Sequence, residues 1–297
     1  MSHDPSTPAL PTIAILGTGI IGAPVAKNLH KQGFPVRAWN RTFAKAEPLS
    51  TLGIPVFHSA ADAVQGADVI VSILKDGPAV LEAMSAAASN LKQGAVWVQL
   101  STVGIQAIEE LAAFAKTAGL IFYDAPVLGT RQPAELGQLV ILASGPSVSQ
   151  AIVQPLFDAI GKRTLWISED IGTSSRLKLA LNNWVFTLTH GVAESLAIAQ
   201  GLGVDPVLLI DAIKGGPLDC GYFQLKAAAI LADDYTTSFS VNNAAKDSKL
   251  VVDAAESAGI KLDLAVAGLQ RFDRVIAAGH GDKDMAVSYL ADDPDHL

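Results

Sequence analysis

Apolar residues fall into two kinds of stretch along this chain, and the change between them comes near residue 172. In the first half they form short runs, at 13–16 (Ile-Ala-Ile-Leu), 34–39, 69–74, 95–100, 120–123 and 139–143, set between Ala-rich segments of helical spacing. Short runs without polar alternation are the pattern of strands buried on both faces. Their alternation with helices predicts a doubly wound parallel sheet. From Gly172 onward such runs stop, and helices are separated by Gly203-Val204-Asp205-Pro206, by Gly215-Gly216-Pro217 and by Gly259. The first of these helices, 174–200, places Leu177, Leu181, Trp184 and Leu188 on one face and Leu179 and Phe186 on another. Apolar residues on most faces predict a buried helix, a spine between the two halves.

The run 13–16 breaks into Gly17-Thr18-Gly19-Ile20-Ile21-Gly22, ahead of a predicted helix over 23–31 and a second strand over 34–39. Glycines at this spacing, between a strand and a helix, suit a dinucleotide. Gly17 permits the tight turn, Gly19 lets the backbone approach a pyrophosphate, and Gly22 lets helix pack on strand. The pyrophosphate would rest on the helix N-terminus, where free N–H groups and the positive dipole end favour an anion. The expected architecture is therefore α/β, an N-terminal Rossmann-type doubly wound parallel sheet followed by an all-helical C-terminal domain, joined by a long interdomain helix. The expected boundaries are a flexible arm at 1–11, a dinucleotide-binding domain at 12–170 and a helical substrate and dimerisation domain at 171–297.

The residues after the second strand select the coenzyme. A site for NAD(H) places a carboxylate there for the ribose hydroxyls. This chain has Asn40-Arg41-Thr42 instead. Arg41 offers a planar cation able to pair with a 2′-phosphate and stack on adenine, so NADP(H) is expected over NAD(H). The other reading of Arg41 is a solvated loop charge.

Composition narrows the classes. Half of the residues are hydrophobic and 17% are charged, as in a well-packed globular protein. The longest uncharged run, 136–157, is interrupted by Gly137, Gly145, Pro146 and Pro155, so no membrane span is expected. Residues 1–11 hold three prolines and an aspartate without a basic segment leading into an apolar one. They do not read as a signal peptide, and a cytoplasmic protein is expected. A net charge of -8 disfavours nucleic acid and anionic membranes as partners. One cysteine, Cys220, excludes an internal disulfide and a cysteine-cluster metal site. None of His30, His58, His190 and His280 has a second histidine or a cysteine at ligand spacing, so no metal is expected. His190, on the spine helix, reads as a satisfied core histidine.

Lys178 and Asn182 lie four apart within the spine helix, on one face, with Ser174 on the same stripe. A lysine in an otherwise apolar helix either snorkels to water or is placed to use its proton. In the first half, Ser72-Ile73-Leu74-Lys75 and Ser101-Thr102 close two predicted strands at their carboxyl ends, where open α/β sheets bind ligands. Ser72, Leu74 and Thr102 are coenzyme candidates on that ground. Thr102 reads equally as a cap for a helix beginning near Val103.

Several segments together resemble the β-hydroxyacid dehydrogenase family almost end to end. Residues Gly17 to Gly22 with Asn28-Leu29 resemble its coenzyme motif. Asp124-Ala125-Pro126-Val127 with Gly129 resembles its substrate segment, and residues 172–182 resemble its catalytic segment. Phe223-Gln224-Leu225-Lys226, Lys246-Asp247 and Gly279-His280-Gly281-Asp282 follow the pattern as well. The resemblance implies an NADP(H)-dependent oxidoreductase of a small carbonyl compound or the matching β-hydroxy acid. It implies Lys178 as general acid-base, Asn182 as its partner on the substrate oxygen, and Lys246 as a lysine that reaches the coenzyme. A helix charge in solvent is the other reading of Lys246.

Two departures bear on substrate. Leu128-Gly129-Thr130 stands where the family has Ser-Gly-Gly, removing a hydroxyl that would meet a substrate carboxylate. The backbone N–H groups of Gly129 and Thr130, and the Thr130 hydroxyl, are then the expected substrate contacts. Ser174 replaces a glycine ahead of the lysine, adding either a hydrogen-bonding group toward substrate or a helix cap. Imine reduction and a catalytically silent coenzyme-binding protein are the alternatives; Lys178, where imine reductases usually carry Asp or Tyr, argues against the first, and retention of both Lys178 and Asn182 argues against the second. Small-residue stretches at 227–231 and 254–259 suit close helix packing, so a homodimer or larger assembly is expected.

Overall fold

The computed structural model describes residues 10–292. Of the expected N-terminal arm, residues 1–9 lie outside them. The described chain divides into two compact units after Lys178.

The first unit runs β1 (Ile13–Leu16), α1 (Gly22–Lys31), β2 (Val36–Trp39), β3 (Val56–Phe57), α2 (Ala60–Val64), β4 (Val69–Ser72), α3 (Gly77–Ala86), β5 (Val96–Gln99) and α4 (Ile105–Thr117). It continues through β6 (Ile121–Asp124), β7 (Val127–Leu128), α5 (Arg131–Glu135), β8 (Leu139–Ser144), α6 (Gln150–Ile160) and β9 (Gly161–Ser168). The strands form one sheet in the order β3-β2-β1-β4-β5-β6-β8-β7, with β9 also on β8. From β3 to β6 the pairs are parallel. The order reverses between β1 and β4, which opens the crevice at the carboxyl ends where such sheets bind ligands.

Side chains alternate across the sheet and so build two cores. Ile13, Ile15, Val69, Val71, Val96 and Val98 face α1 and α6, whereas Ala14, Leu16, Ile70 and Trp97 face α2, α3 and α4. Burial on both faces explains why these strands read as uninterrupted apolar runs. Trp97 is fully buried, and its indole N–H donates to Ser72 Oγ at 2.9 Å.

The sheet departs from the fully parallel expectation at one edge. β8 runs antiparallel to β6 and β7, while β9 runs parallel to β8. The stretch 129–138 is too short for the crossover that parallel pairing demands, so the chain turns back on itself. β3, β7 and β9 were not expected. The first two span one pair of residues each, and β9 opens on the exposed Lys162 and Arg163, which interrupt its apolar signal.

Helix α7 (Thr173–Gly201) runs through the division between units. The second unit continues with α8 (Pro206–Ile213), α9 (Gly221–Leu231), α10 (Val241–Ser257), α11 (Asp263–Ala277) and a 3-10 segment, Met285–Asp292. Phe186, Val241, Phe272 and Val275 form one core cluster, and Leu196, Phe223, Ala227 and Ile230 form another. The expectation that α7 is buried on most faces is corrected: Leu179 and Phe186 are buried, but Leu177, Leu181 and Leu188 are half-buried and Trp184 is 60% exposed.

Asp284 fastens this unit. Its carboxylate pairs with Lys226 at 2.5 Å, both groups buried, and accepts bonds from the Ser238 N–H and hydroxyl and from the Phe239 and Ala286 N–H groups. Burial alone would raise its pKa, but Lys226 and these donors hold it below the usual carboxylate range. His190 is 8% exposed and shares a 2.9 Å bond with Ser288 through Nδ1, while its buried Nε2 has no hydrogen-bond partner. Burial, then Arg271 and Arg274, push it down to about 4, so it stays neutral in the core.

Candidate functional site

Each glycine of the first loop answers to a different constraint. Gly17 has φ +106°, and a Cβ there would sit 2.1 Å from the Ile73 carbonyl oxygen. At Gly22 a Cβ would lie 2.0 Å from the Gly17 carbonyl oxygen, so α1 could not start so close to the turn with any side chain present. A Cβ on Gly19 meets nothing within 4 Å. The loop is thus held tight at Gly17 and Gly22 and is open at Gly19, a cradle that a side chain would fill.

The open position lies at the start of α1, whose N-cap, Ile21, makes no side-chain cap bond and whose first turn holds no acidic residue. No side chain of the first turn of α1 competes with an anion for its free N–H groups. A cleft of about 280 Å³ beside it is lined by Gly19, Ile20, Lys27, Asn28, Arg131 and Glu135 among others. Thr18 is 3% exposed, and its hydroxyl has no protein partner. The open cradle and this buried orphan hydroxyl fit a dinucleotide pyrophosphate on the loop.

The strand ends beside the loop are braced by their own side chains. Asn40, just past β2, accepts the Thr18 N–H at 3.0 Å through Oδ1 and donates through Nδ2 to the Thr42 carbonyl at 3.0 Å. Its amide therefore ties the glycine loop to the end of β2. Arg41 is exposed and has no partner among the described residues, and no carboxylate follows β2. Ser72, the last residue of β4, is fully buried and spends its hydroxyl on Trp97, so its side chain serves the sheet interior. The Leu74 N–H donates to Ser101 Oγ at 2.8 Å, and Gln99 holds Ser101 by bonds of 2.7 Å to its N–H and carbonyl. Thr102 is half-buried. It does not cap a helix, because α4 begins at Ile105 with Gly104 as N-cap.

Leu128 is half-buried in β7, opposite Val140 of β8. Gly129 has φ +124°, and a Cβ there would be 2.8 Å from Leu139 and 3.0 Å from Pro133. Only glycine lets the chain pass between them into Thr130. Ser174 is fully buried, with its hydroxyl 2.7 Å from that of Ser144. That bond, and a helix start at Thr173, remove both expected roles for Ser174, toward substrate and as cap. Asp124, at the end of β6, is fully buried and accepts the Ser175 N–H and hydroxyl, each at 2.8 Å. Burial pushes its pKa up to about 6, against the bonds from Ser175 and Gly172 and the charge of Arg176. Lys178 is half-buried, one turn past Ser174.

In the second unit, Asn182 is 4% exposed and donates through Nδ2 to Asp247 Oδ2 at 2.9 Å. The other oxygen of Asp247 lies 2.6 Å from the Lys246 ammonium, whose side chain is 22% exposed. One buried carboxylate so joins the expected asparagine and lysine, and Lys246 is not the freely solvated charge of the other reading. Sequence reasoning assigned no role to Ser101, Asp124, Ser175 or Asp247 individually. The one signal was an acid directly after the apolar run Ile121-Phe122-Tyr123, where a buried carboxylate demands partners.

Comparison with known proteins bears on both units. Residues 12–168 match the family described as the NAD binding domain of 6-phosphogluconate dehydrogenase, and residues 172–290 match that described as NAD-binding of NADP-dependent 3-hydroxyisobutyrate dehydrogenase. The chain is 30% identical over 279 residues to glyoxylate/succinic semialdehyde reductase 2, chloroplastic, of Arabidopsis thaliana, covering 93% of this chain and 78% of that relative. A crystal structure of 3-hydroxyisobutyrate dehydrogenase from Salmonella typhimurium superposes with a TM-score of 0.86 at 24% identity, covering 94% and 98% of the two chains. An imine reductase from Myxococcus stipitatus in complex with NADP+ shares the fold less closely, with a TM-score of 0.66 at 24% identity and the same coverage.

Proposed function

The chain belongs to the β-hydroxyacid dehydrogenase family and is an NAD(P)-dependent oxidoreductase acting on CH–OH, and from that premise we propose an NADP(H)-dependent reductase of a small semialdehyde-like carbonyl compound. The reverse reaction oxidises the matching β-hydroxy acid. The observation that carries the coenzyme choice is the end of β2, which presents the exposed Arg41 and no carboxylate beside the open cradle at Gly19. A guanidinium there favours a 2′-phosphate. Neighbouring structures hold either NADP+ or NAD+, so the preference is this chain's own to reveal.

The bound coenzyme supplies a hydride from C4 of its nicotinamide. Gly17 to Gly22 would seat the pyrophosphate, with Thr18 and Asn40 shaping the loop, and Leu74, Thr102 and Lys246 would touch the coenzyme further along. Lys178 would give a proton to the substrate carbonyl oxygen in reduction and take it back in the oxidative direction. Asn182 steadies that oxygen. With one amide N–H committed to Asp247, it keeps the second N–H for this task. Leu128, Gly129 and Thr130 line the substrate segment. Leu128 presents alkyl surface in place of a hydroxyl, so bulkier or less polar carbonyls are preferred to glyoxylate.

A coupled set of assays tests the reading: NADPH oxidation over a panel of semialdehydes, α-keto acids and aryl aldehydes, with and without added amine. Turnover of a carbonyl without amine supports it. Turnover only with amine makes the protein an imine reductase, and coenzyme binding without any turnover makes it a silent binding protein. The same proposal includes a homodimer or larger assembly through the helical unit, where Trp184, Ile198, Leu202, Leu208 and Leu218 are exposed. Sedimentation showing only monomer would remove that part. It also includes a cytoplasmic location, tested by cell fractionation.

A further inference from the structure

Two strand ends of the sheet grip two consecutive residues of the helix that carries Lys178. Asp124, last in β6, and Ser144, last in β8, are directly paired across the sheet. Asp124 accepts the backbone N–H and the hydroxyl of Ser175, each at 2.8 Å. Ser144 Oγ accepts the Ser174 N–H at 3.2 Å and lies 2.7 Å from Ser174 Oγ. All four residues are buried, with exposures of 3% or less. The first N–H groups of a helix have no partner within it, and here two of them are satisfied by the sheet. Ser174 lies one turn before Lys178 on the same stripe of α7.

We propose that Asp124 and Ser144 form a clasp that sets the first turn of α7, making Asp124 a positioning residue for Lys178 and not a substrate ligand. The proposal rests on Lys178 as general acid-base. Both oxygens of Asp124 are engaged by Ser175 and the side chain is fully buried, which keeps it from a substrate. A positioned proton donor loses effect with displacements on the order of 1 Å, and α7 transmits any shift of Ser174 to Lys178 within one turn. Only the ionised carboxylate accepts at both oxygens. With its pKa pushed up to about 6 by burial, the clasp weakens as the pH falls through that value. The charge acting on it is Arg176 of α7, itself 3.6 Å from Glu109 of α4.

The test compares Asp124→Asn, Ser175→Ala and Ser175→Thr with the wild type. Expected for Asp124→Asn is a kcat lowered at least about tenfold, as for a misplaced general acid, with coenzyme Kd changed less than about threefold. The wild-type kcat falls as pH drops through about 6, and Asp124→Asn lacks that limb. Ser175→Ala follows Asp124→Asn more mildly and carries the test should the first variant misfold; Ser175→Thr, which keeps the hydroxyl, retains most activity. Hydrogen exchange at the Ser174 and Ser175 amides, faster in Asp124→Asn, reads the clasp without any turnover. Fast exchange in the variant of a protein with no carbonyl activity would thus retain the clasp while removing the proposed function. An unchanged kcat and pH profile in Asp124→Asn overturns the proposal. So does a raised carbonyl KM at constant kcat, which would make Asp124 a substrate ligand.

Discussion

Replacing Gly17, Gly19 and Gly22 by alanine one at a time separates the stability of the glycine loop from its ligand. At Gly22 the new Cβ would sit 2.0 Å from the Gly17 carbonyl oxygen, whereas ordinary van der Waals contact begins at 3.4 Å. Backbone must move on both sides, a case of overpacking that costs about 1–3 kcal/mol. Gly17→Ala meets the Ile73 carbonyl at 2.1 Å and adds a φ of +106°, a conformation worth about 1–3 kcal/mol of further strain. Gly19→Ala meets nothing within 4 Å. Its φ is not positive, so shortening the list of unfolded conformations should leave stability unchanged or raised by about 0.4–1 kcal/mol. The methyl group instead fills the space reserved for a phosphate. Loss of one charge-assisted hydrogen bond, about 1.5–3 kcal/mol, weakens coenzyme binding about 10- to 100-fold. Thermal unfolding without ligand, beside calorimetric titration with NADPH, reads both quantities on the same samples. The reasoning is refuted if Gly19→Ala binds coenzyme like the wild type, or if it destabilises the protein as much as Gly22→Ala.

Three further outcomes follow from the described contacts. Arg41→Ala should erase most of an NADPH-over-NADH preference of about 10- to 100-fold, measured as the ratio of the two Kd values. Leu128→Ser should restore a hydroxyl beside Gly129 and shift kcat/KM toward small carboxylate-bearing substrates by the value of one hydrogen bond, about 0.5–1.5 kcal/mol. Asp284→Ala should leave the buried Lys226 unpaired and cost about 3–5 kcal/mol, read as a lower urea midpoint at unchanged slope.

Legibility in the sequence followed the range of each interaction. Gly17 and Gly22 were readable because the positive φ of the turn and the closeness of the Gly17 carbonyl to the start of α1 are local to the loop. β1, β4 and β5 were readable because burial on both faces leaves an apolar run. β9 was not, since an edge strand opening on Lys162 and Arg163 keeps no such run, and the reversed direction of β8 depends on loop length rather than on its own residues. Side-chain roles set by distant partners were least visible. Ser174 reads as a substrate or capping residue until Ser144, 30 positions away, takes its hydroxyl. Ser72 reads as a rim residue until Trp97 claims it. The acid at 124 gains its meaning only from Ser175, 51 positions on.

In the proposed reaction Lys178 moves the proton. Lys178→Met keeps an apolar stem and removes the donor, and the direct measurement is single-turnover NADPH oxidation on a substrate accepted by the wild type, at saturating coenzyme. Expected are NADPH binding within about threefold of the wild type and a hydride-transfer rate lowered by at least about 100-fold, the lower end for general acid catalysis. Near-full rate in Lys178→Met, with binding intact, would contradict that role.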